Sequence, residues 1–251
     1  MTATAGTLTR MSPPPSRLEG VSLFLDMDGV LAPLAPRPED VVPEARRTAV
    51  LRRLSQRLEG RLAIVSGRTL AEIDRISEAA APAAAGVHGL EIRRLDGSLE
   101  RLSPHPAVRD VVAALEVYAA DRPGMIVEDK AVSAGLHYRQ APGFEADVRA
   151  LGERIARETG LAVQHGDRVM ELKTPGTSKG TAVRAFMAEA SFARGLPVMV
   201  GDDLTDEDGF EAATALGGFG VLVGPARPTA ARHRLENVEA VLDWLEGLAD
   251  A

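Results

Sequence analysis

The chain has 251 residues, 45% apolar and 26% charged, and the longest apolar runs fall well short of the roughly 18 residues that span a bilayer, so membrane insertion is not expected. The absence of cysteine removes disulfides, thiolate metal sites and a cysteine nucleophile, and suits a reducing, cytoplasmic location. A formal net charge of −7, with arginines scattered beside acids as in "ERLSP" and "RETG", leaves no basic stripe for nucleic acid and points to a small-molecule partner.

Residues 1–19 have no apolar core followed by a small-residue cleavage site, and read as a flexible lead-in, not a secretory signal. After them, β-branched or apolar runs alternate with helical segments: "VSLFLD" (21–26), a helix over 43–60, "RLAIVSG" (61–67) and a helix over 69–80. The middle of the chain changes character. A helix over 105–121, a strand pair over 124–140, a helix over 143–159 and a hairpin over 161–173 turning at "HGD" make a helix-and-hairpin unit that occurs twice. The first alternation then returns in helix 178–190, strand 196–203, helix 204–216, strand 218–224 and helix 238–249. The fold class is therefore α/β: a parallel-sheet core over 20–103 and 174–251, with an inserted α+β cap over 104–173.

Asp26 and Asp28 stand two apart at the end of "VSLFLD", so both face one crevice at the carboxyl end of a strand, where open α/β sheets bind ligands. The plainer alternative is that Asp-Gly begins a turn. A second apolar strand ends in "VGDDLTDEDGF", adding Asp202, Asp203 and Asp206. Carboxylates at adjacent strand ends repel unless a divalent cation sits among them, and Mg²⁺ takes one or two carboxylates, waters and a phosphate oxygen. Capping of the next helix by Asp203 or Thr205 explains one acid but not the cluster.

In "PGTSKGTAVRAF", an N-cap at Thr177 puts Lys179 in the first helical turn, where the macrodipole disfavours a cation. A lysine there needs an anion, and a helix N-terminus is a ready phosphate site. In "AIVSGRTLAEI", Thr69 and Glu72 have capping-box spacing, which leaves the Ser66 hydroxyl and the Gly67 N–H, with Arg68 beside them, to hold a phosphoryl oxygen. Together these residues suit phosphoryl transfer: one carboxylate attacks phosphorus, one moves a proton, and metal plus lysine offset charge. A dinucleotide role is not supported, because "GGFGVLVG" lacks Gly-x-Gly-x-x-Gly spacing.

Asp-Met-Asp-Gly, Ser-Gly-Arg, a helical lysine and Gly-Asp-Asp-Leu-Thr-Asp, in this order, resemble the haloacid dehalogenase superfamily. The resemblance implies Asp26 as nucleophile, Asp28 as acid/base, and Ser66 and Lys179 as phosphate ligands. It also implies Mg²⁺ on Asp26, the Asp28 carbonyl and Asp202, supported by Asp203 and Asp206. Val30 departs from the commoner threonine. "GVHGLEIR", "LHYRQAP", "ELKTPGTSKG" and "GDDLTDEDGF" are more narrowly similar to the bacterial trehalose-6-phosphate phosphatase family, from about residue 20 onward. That likeness implies a sugar phosphate as partner, functional coupling to a trehalose-6-phosphate synthase, and sugar contacts from the cap at Glu128, Lys130, Arg139 and Glu171. The alternative for the cap acids and lysine is a solvated strand edge. His88, which follows a strand, lines the site or is simply a buried, hydrogen-bonded histidine. The rival functions are a phosphatase of another sugar phosphate, such as sucrose 6-phosphate or a mannosylglycerate phosphate, and a catalytically silent sensor. The sensor predicts a lost nucleophile, whereas Asp26, Asp28, Lys179 and Asp202 are all present.

Overall fold

The computed structural model describes residues 11–130, 132–166 and 168–250. In chain order the elements are β1 (Val21–Leu25), α1 (Ala45–Arg57), β2 (Leu62–Val65), α2 (Leu70–Ser77), β3 (Ala83–Gly86), β4 (Glu91–Arg93), β5 (Leu99–Arg101) and α3 (Val108–Ala120). Then come β6 (Ile126–Asp129), β7 (Ser133–His137), α4 (Glu145–Thr159), β8 (Ala162–Gly166), β9 (Val169–Lys173) and α5 (Lys179–Met187). The chain ends with β10 (Leu196–Gly201), α6 (Glu207–Ala215), β11 (Phe219–Val223), β12 (His233–Leu235) and α7 (Val238–Asp250).

Eight strands form one sheet in the order β12-β11-β10-β1-β2-β3-β4-β5, parallel except for β4 and β5. Every residue of β1 is buried, as a continuous apolar run in a doubly covered parallel sheet requires. Val21, Leu23 and Leu25 face α1, α2 and α7, while Phe24 faces α5 and α6 on the other side. There Phe24, Phe186 and Phe192 pack with ring centroids 5.2–6.0 Å apart.

A second, antiparallel sheet, β6-β7-β9-β8, forms the cap. Its period-2 pattern sends Ala134, Leu136, Met170 and Leu172 to one face, against Val111 and Leu115 of α3 and Val148 and Leu151 of α4. The other face carries Glu128, His137, Glu171 and Gln164 and roofs the carboxyl ends of β1, β2 and β10. The chain crosses between the two units twice, and the crossings are tied together: the His105 N–H donates to Thr174 Oγ1 at 3.0 Å.

Several details differ from the sequence reading. Three short strands went unread, since β4, β5 and β12 have three residues each, too few to display a period; the strand read before His88 is β3, Ala-Ala-Ala-Gly, which has no β-branched residue. The hairpin connection lies after Gly166, with Arg168 at φ 59°, so His165 and Gly166 belong to β8 and not to the turn. Residues 11–19, read as flexible, are fastened to the core: Pro14 is buried, Ser12 O accepts from Arg234 N at 3.1 Å, and Pro15 O accepts from Trp244 Nε1 at 2.9 Å. Residues 1–10 of that lead-in lie outside the described residues. Among the described residues no helix is long and apolar enough to cross a membrane.

Phe24→Ala removes the ring that joins the strand leading to Asp26 to Phe186 and Phe192. It is expected to lower unfolding free energy by about 3–5 kcal/mol, read from denaturant midpoints at constant m.

Candidate active site

At the end of β1 the chain turns through Asp26, Met27, Asp28 and Gly29. Asp26 is buried; its Oδ1 accepts from the Met27 N–H at 2.7 Å, and its Oδ2 lies 2.7 Å from Lys179 Nζ. The same ammonium donates to Asp206 Oδ1 at 2.7 Å. Lys179 is the first residue of α5, and the N-cap is Ser178, not Thr177: Ser178 Oγ accepts from the Thr181 N–H, and Thr181 returns the bond. The anions that offset this cation at a helix N-terminus are thus two buried carboxylates.

Asp206 is fully buried, and its Oδ2 accepts from the N–H groups of Asp202 and Asp203 at 3.0 Å each, which folds the acid loop after β10. Asp203 accepts from the Leu204 N–H at 2.6 Å and acts as a cap. Among the described residues, Asp26, Asp202 and Asp206 each bring an oxygen within 4.8 Å of one another, whereas Asp203, expected to support the metal, is outside that group. A Cβ at Gly29, which has φ 74°, would lie 2.0 Å from Asp202 Oδ2, so only glycine lets the two acid loops meet. Burial pushes the Asp26 carboxyl up to about 7, with Lys179 opposing and Asp206 and Asp28 adding. Burial, Asp26 and Asp206 push Asp202 up to about 8. Three clustered hard oxygen donors, with one ammonium to offset them, fit Mg²⁺. Arg227, a residue without a motif, braces this loop by donating to Asp203 O at 2.9 Å while pairing with Glu207.

Beyond β2, Ser66 is buried with its Oγ accepting from the Arg68 N–H at 3.3 Å, and the Thr69–Glu72 capping box is present as read. Arg68, expected beside the phosphate, turns its side chain to Asp28. Its guanidinium is a fork on Asp28, with Nε and Nη2 each 2.7 Å from a carboxylate oxygen, and Nη1 donates to Pro38 O at 2.9 Å. Burial opposes the charge on Arg68, but Asp28 more than offsets this and raises its pKa. The sequence contains both residues without any sign that they pair.

After β3 the backbone makes a left-handed turn: Val87, His88 and Gly89 have φ of 45°, 54° and 95°. For two residues with a Cβ, one of them β-branched, this costs about 1–3 kcal/mol each. The turn is held by Val87 N–H to Arg68 O at 2.8 Å and His88 N–H to Ser66 O at 2.9 Å.

Opposite these loops, cross-strand register aligns Glu128, Gly135, Glu171 and Gln164 in one row of the cap sheet. Glu128 accepts from His137 Nε2 at 2.8 Å. Glu171 is buried, with Ser133 Oγ at 2.6 Å, His88 Nε2 at 3.0 Å and Lys130 Nζ at 3.6 Å. Burial would raise its pKa, but Lys130 and His88 hold the carboxyl well below the usual range. Lys130 Nζ donates to Gly67 O at 2.9 Å, and Arg139 Nη1 to Ala35 O at 2.8 Å, so both reach across to the core. A cavity of about 370 Å³ between cap and core brings together Asp26, Asp28, Ser66, Lys179, Glu128 and Glu171. His137 and Gln164 also line it; the sequence did not single them out, because only the register with Glu128 and Glu171 puts them on that face.

A family model described as trehalose-phosphatase matches residues 24–239. The chain is 40% identical over 230 residues to the trehalose-6-phosphate phosphatase of Escherichia coli K12, covering 91% of this chain and 86% of that protein. It is 34% identical to a probable trehalose-phosphate phosphatase of Sinorhizobium fredii, over 92% and 89% of the two chains. In fold it matches the C-terminal domain of C. albicans trehalose-6-phosphate phosphatase with a TM-score of 0.82, covering 96% and 98% at 22% identity.

Arg68→Ala is expected to lower kcat for phosphomonoesters about 10- to 100-fold with KM changed less than about threefold, because Asp28 loses its fork. A raised KM with kcat intact would assign Arg68 to phosphate binding.

Proposed function

We propose, since the chain belongs to the trehalose-phosphatase family, that it hydrolyses trehalose 6-phosphate to trehalose and inorganic phosphate through an aspartyl-phosphate on Asp26. The observation that carries this reading is the Lys179 ammonium held at 2.7 Å from both Asp26 and Asp206, inside a cavity roofed by the acid row of the cap.

In the first step an Asp26 oxygen forms a bond to phosphorus as the bond from phosphorus to the sugar O6 breaks, and Asp28 gives O6 its proton. In the second step Asp28 takes a proton from water, the water oxygen attacks phosphorus, and the Asp26 carboxylate is released. Both Asp28 oxygens are engaged by Arg68, so proton delivery requires one of these contacts to open while the other keeps the carboxyl aimed. Lys179 and the Ser66 hydroxyl stand where the phosphoryl oxygens gain charge. Mg²⁺ would be held by Asp26 and Asp202 with Asp206 behind them, and when bound it offsets phosphoryl charge.

Glu128, Lys130, Arg139 and Glu171 are the sugar contacts in this reading. Charged groups held at fixed points discriminate strongly, because a wrong sugar leaves them unpaired. A trehalose-6-phosphate synthase supplies such a substrate, so functional coupling to one belongs to the same reading.

The test is phosphate release from trehalose 6-phosphate, sucrose 6-phosphate and glucose 6-phosphate, each with Mg²⁺ and with EDTA. The expected result is strong preference for trehalose 6-phosphate, abolished by EDTA. Metal-dependent preference for another sugar would overturn the substrate, and silence on all three would favour a sensor. In the same assay Asp26→Asn is expected to remove turnover by at least about a thousandfold while leaving the melting temperature near wild type. Wild-type turnover in that variant would rule out the covalent step.

A further inference from the structure

The partners of Glu171 come from both units of the protein. Ser133 and Lys130 belong to the cap, whereas His88, 3.0 Å away through Nε2, belongs to the core. An ionised carboxylate only accepts, so the imidazole carries its proton on Nε2 and donates.

His88 owes its direction to the left-handed turn. That turn touches each neighbouring part of the site. Its backbone N–H groups bond the Ser66 and Arg68 carbonyls, and a Cβ at Gly67 would come within 2.7 Å of His88 Nε2, so the ring lies directly on the phosphate loop. On the other side, a Cβ at Gly89 would meet Ser178 O at 3.3 Å, at the start of the helix that carries Lys179. From the cap, Gln164 Nε2 lies 3.4 Å from His88 Nδ1, the accepting nitrogen of that tautomer, and Lys130 donates to the Gly67 carbonyl at 2.9 Å. A right-handed connection after β3 would aim the ring elsewhere, so the backbone cost is coupled to one side-chain position.

We propose that His88 is a positioning residue for sugar recognition: with the cap seated on the core, its imidazole fixes the Glu171 carboxylate in the orientation that receives a sugar hydroxyl. Recognition of the sugar and closure over the phosphate loop then become one event. The inference rests on the reading of Glu171 as a sugar contact. Burial lowers the His88 pKa, and a neutral donor orients the carboxylate without cancelling its charge.

The test compares wild type, His88→Asn, His88→Gln, Glu171→Ala and the His88→Asn/Glu171→Ala double variant on trehalose 6-phosphate and p-nitrophenyl phosphate, with melting temperatures recorded. Asparagine tolerates the left-handed turn but is too short to reach Glu171, whereas the glutamine Nε2 reaches about as far as the imidazole Nε2. His88→Asn is expected to raise KM for trehalose 6-phosphate about tenfold, with a smaller loss on p-nitrophenyl phosphate. His88→Gln is expected to recover most of it, and His88→Asn is expected to add less than about twofold in the Glu171→Ala background. If Glu171→Ala raises KM but the two losses multiply, or if both substrates suffer equally without recovery by glutamine, the His88 inference is overturned while the sugar reading stands. If Glu171→Ala leaves KM for trehalose 6-phosphate unchanged, the sugar reading itself falls, and this inference with it.

Discussion

An ammonium group buried between two buried carboxylates is the constraint on which the rest of the site depends. Taking Lys179, Asp26 and Asp206 out of water costs several kcal/mol per ion, and only short contacts with the remaining lone pairs satisfied offset it. Those conditions are met at both ends. Asp26 uses its second oxygen on the Met27 N–H, and Asp206 uses its second oxygen on the N–H groups of Asp202 and Asp203. The lysine therefore ties the end of β1, the start of α5 and the loop after β10 into one charged unit, and the position of Asp202 follows from it.

Close approach is what makes that unit possible, and glycine supplies it at the contact between the acid loops. Gly29 lets the Asp202 carboxylate lie where a side chain would otherwise stand. Burial first, and the neighbouring acids after it, raise the pKa values of Asp26 and Asp202, so this density of negative charge is not fully offset by Lys179. A protein interior tolerates such an imbalance when a cationic ligand completes it. On the cap side the carboxylates are held ionised: Glu171 by Lys130 and His88, and Glu128 by His137 and Lys130, each against the opposing effect of burial. The floor of the cavity thus sets the Lys179 ammonium against three clustered acids, while its roof shares Lys130 between two carboxylates and presents hydrogen-bonding groups.

The legible parts of this arrangement were those fixed by local chain geometry. Acids at strand ends, a lysine in the first turn of a helix and the Thr69–Glu72 box follow from spacing alone, and all stand where spacing puts them. The α/β alternation and the change of pattern in the middle were equally local. What spacing does not carry is the partner of a long side chain. Arg68 sits two residues from Ser66, yet its guanidinium reaches Asp28, forty positions away in the chain. The Ser178 cap replaced Thr177 because Thr181 completes a reciprocal pair with Ser178. Gln164 and His137 required the register of the cap sheet, and Arg227 required knowing which loop packs behind Asp202. Strands as short as β4, or as weakly β-forming as β3, are set by the sheet they join.

The bond between the His105 N–H and Thr174 Oγ1 has a mechanical consequence. A body joined to its base by two separate tethers can shear, tilt and twist, but when the tethers are fastened to each other it has a single pivot. That pivot lies immediately after β9, so Glu171 is only three strand residues, about 10 Å, away from it. Arg139 stands two residues beyond His137, whose partner across the sheet is Val169 at the far end of β9, so it lies about twice as far from the same point. Rotation about the pivot therefore carries the Arg139 end of the cap through about twice the arc of the Glu171 carboxylate, which lies over the loop after β2. The fold separates a coarse movement at the entrance from a fine adjustment at the reacting end.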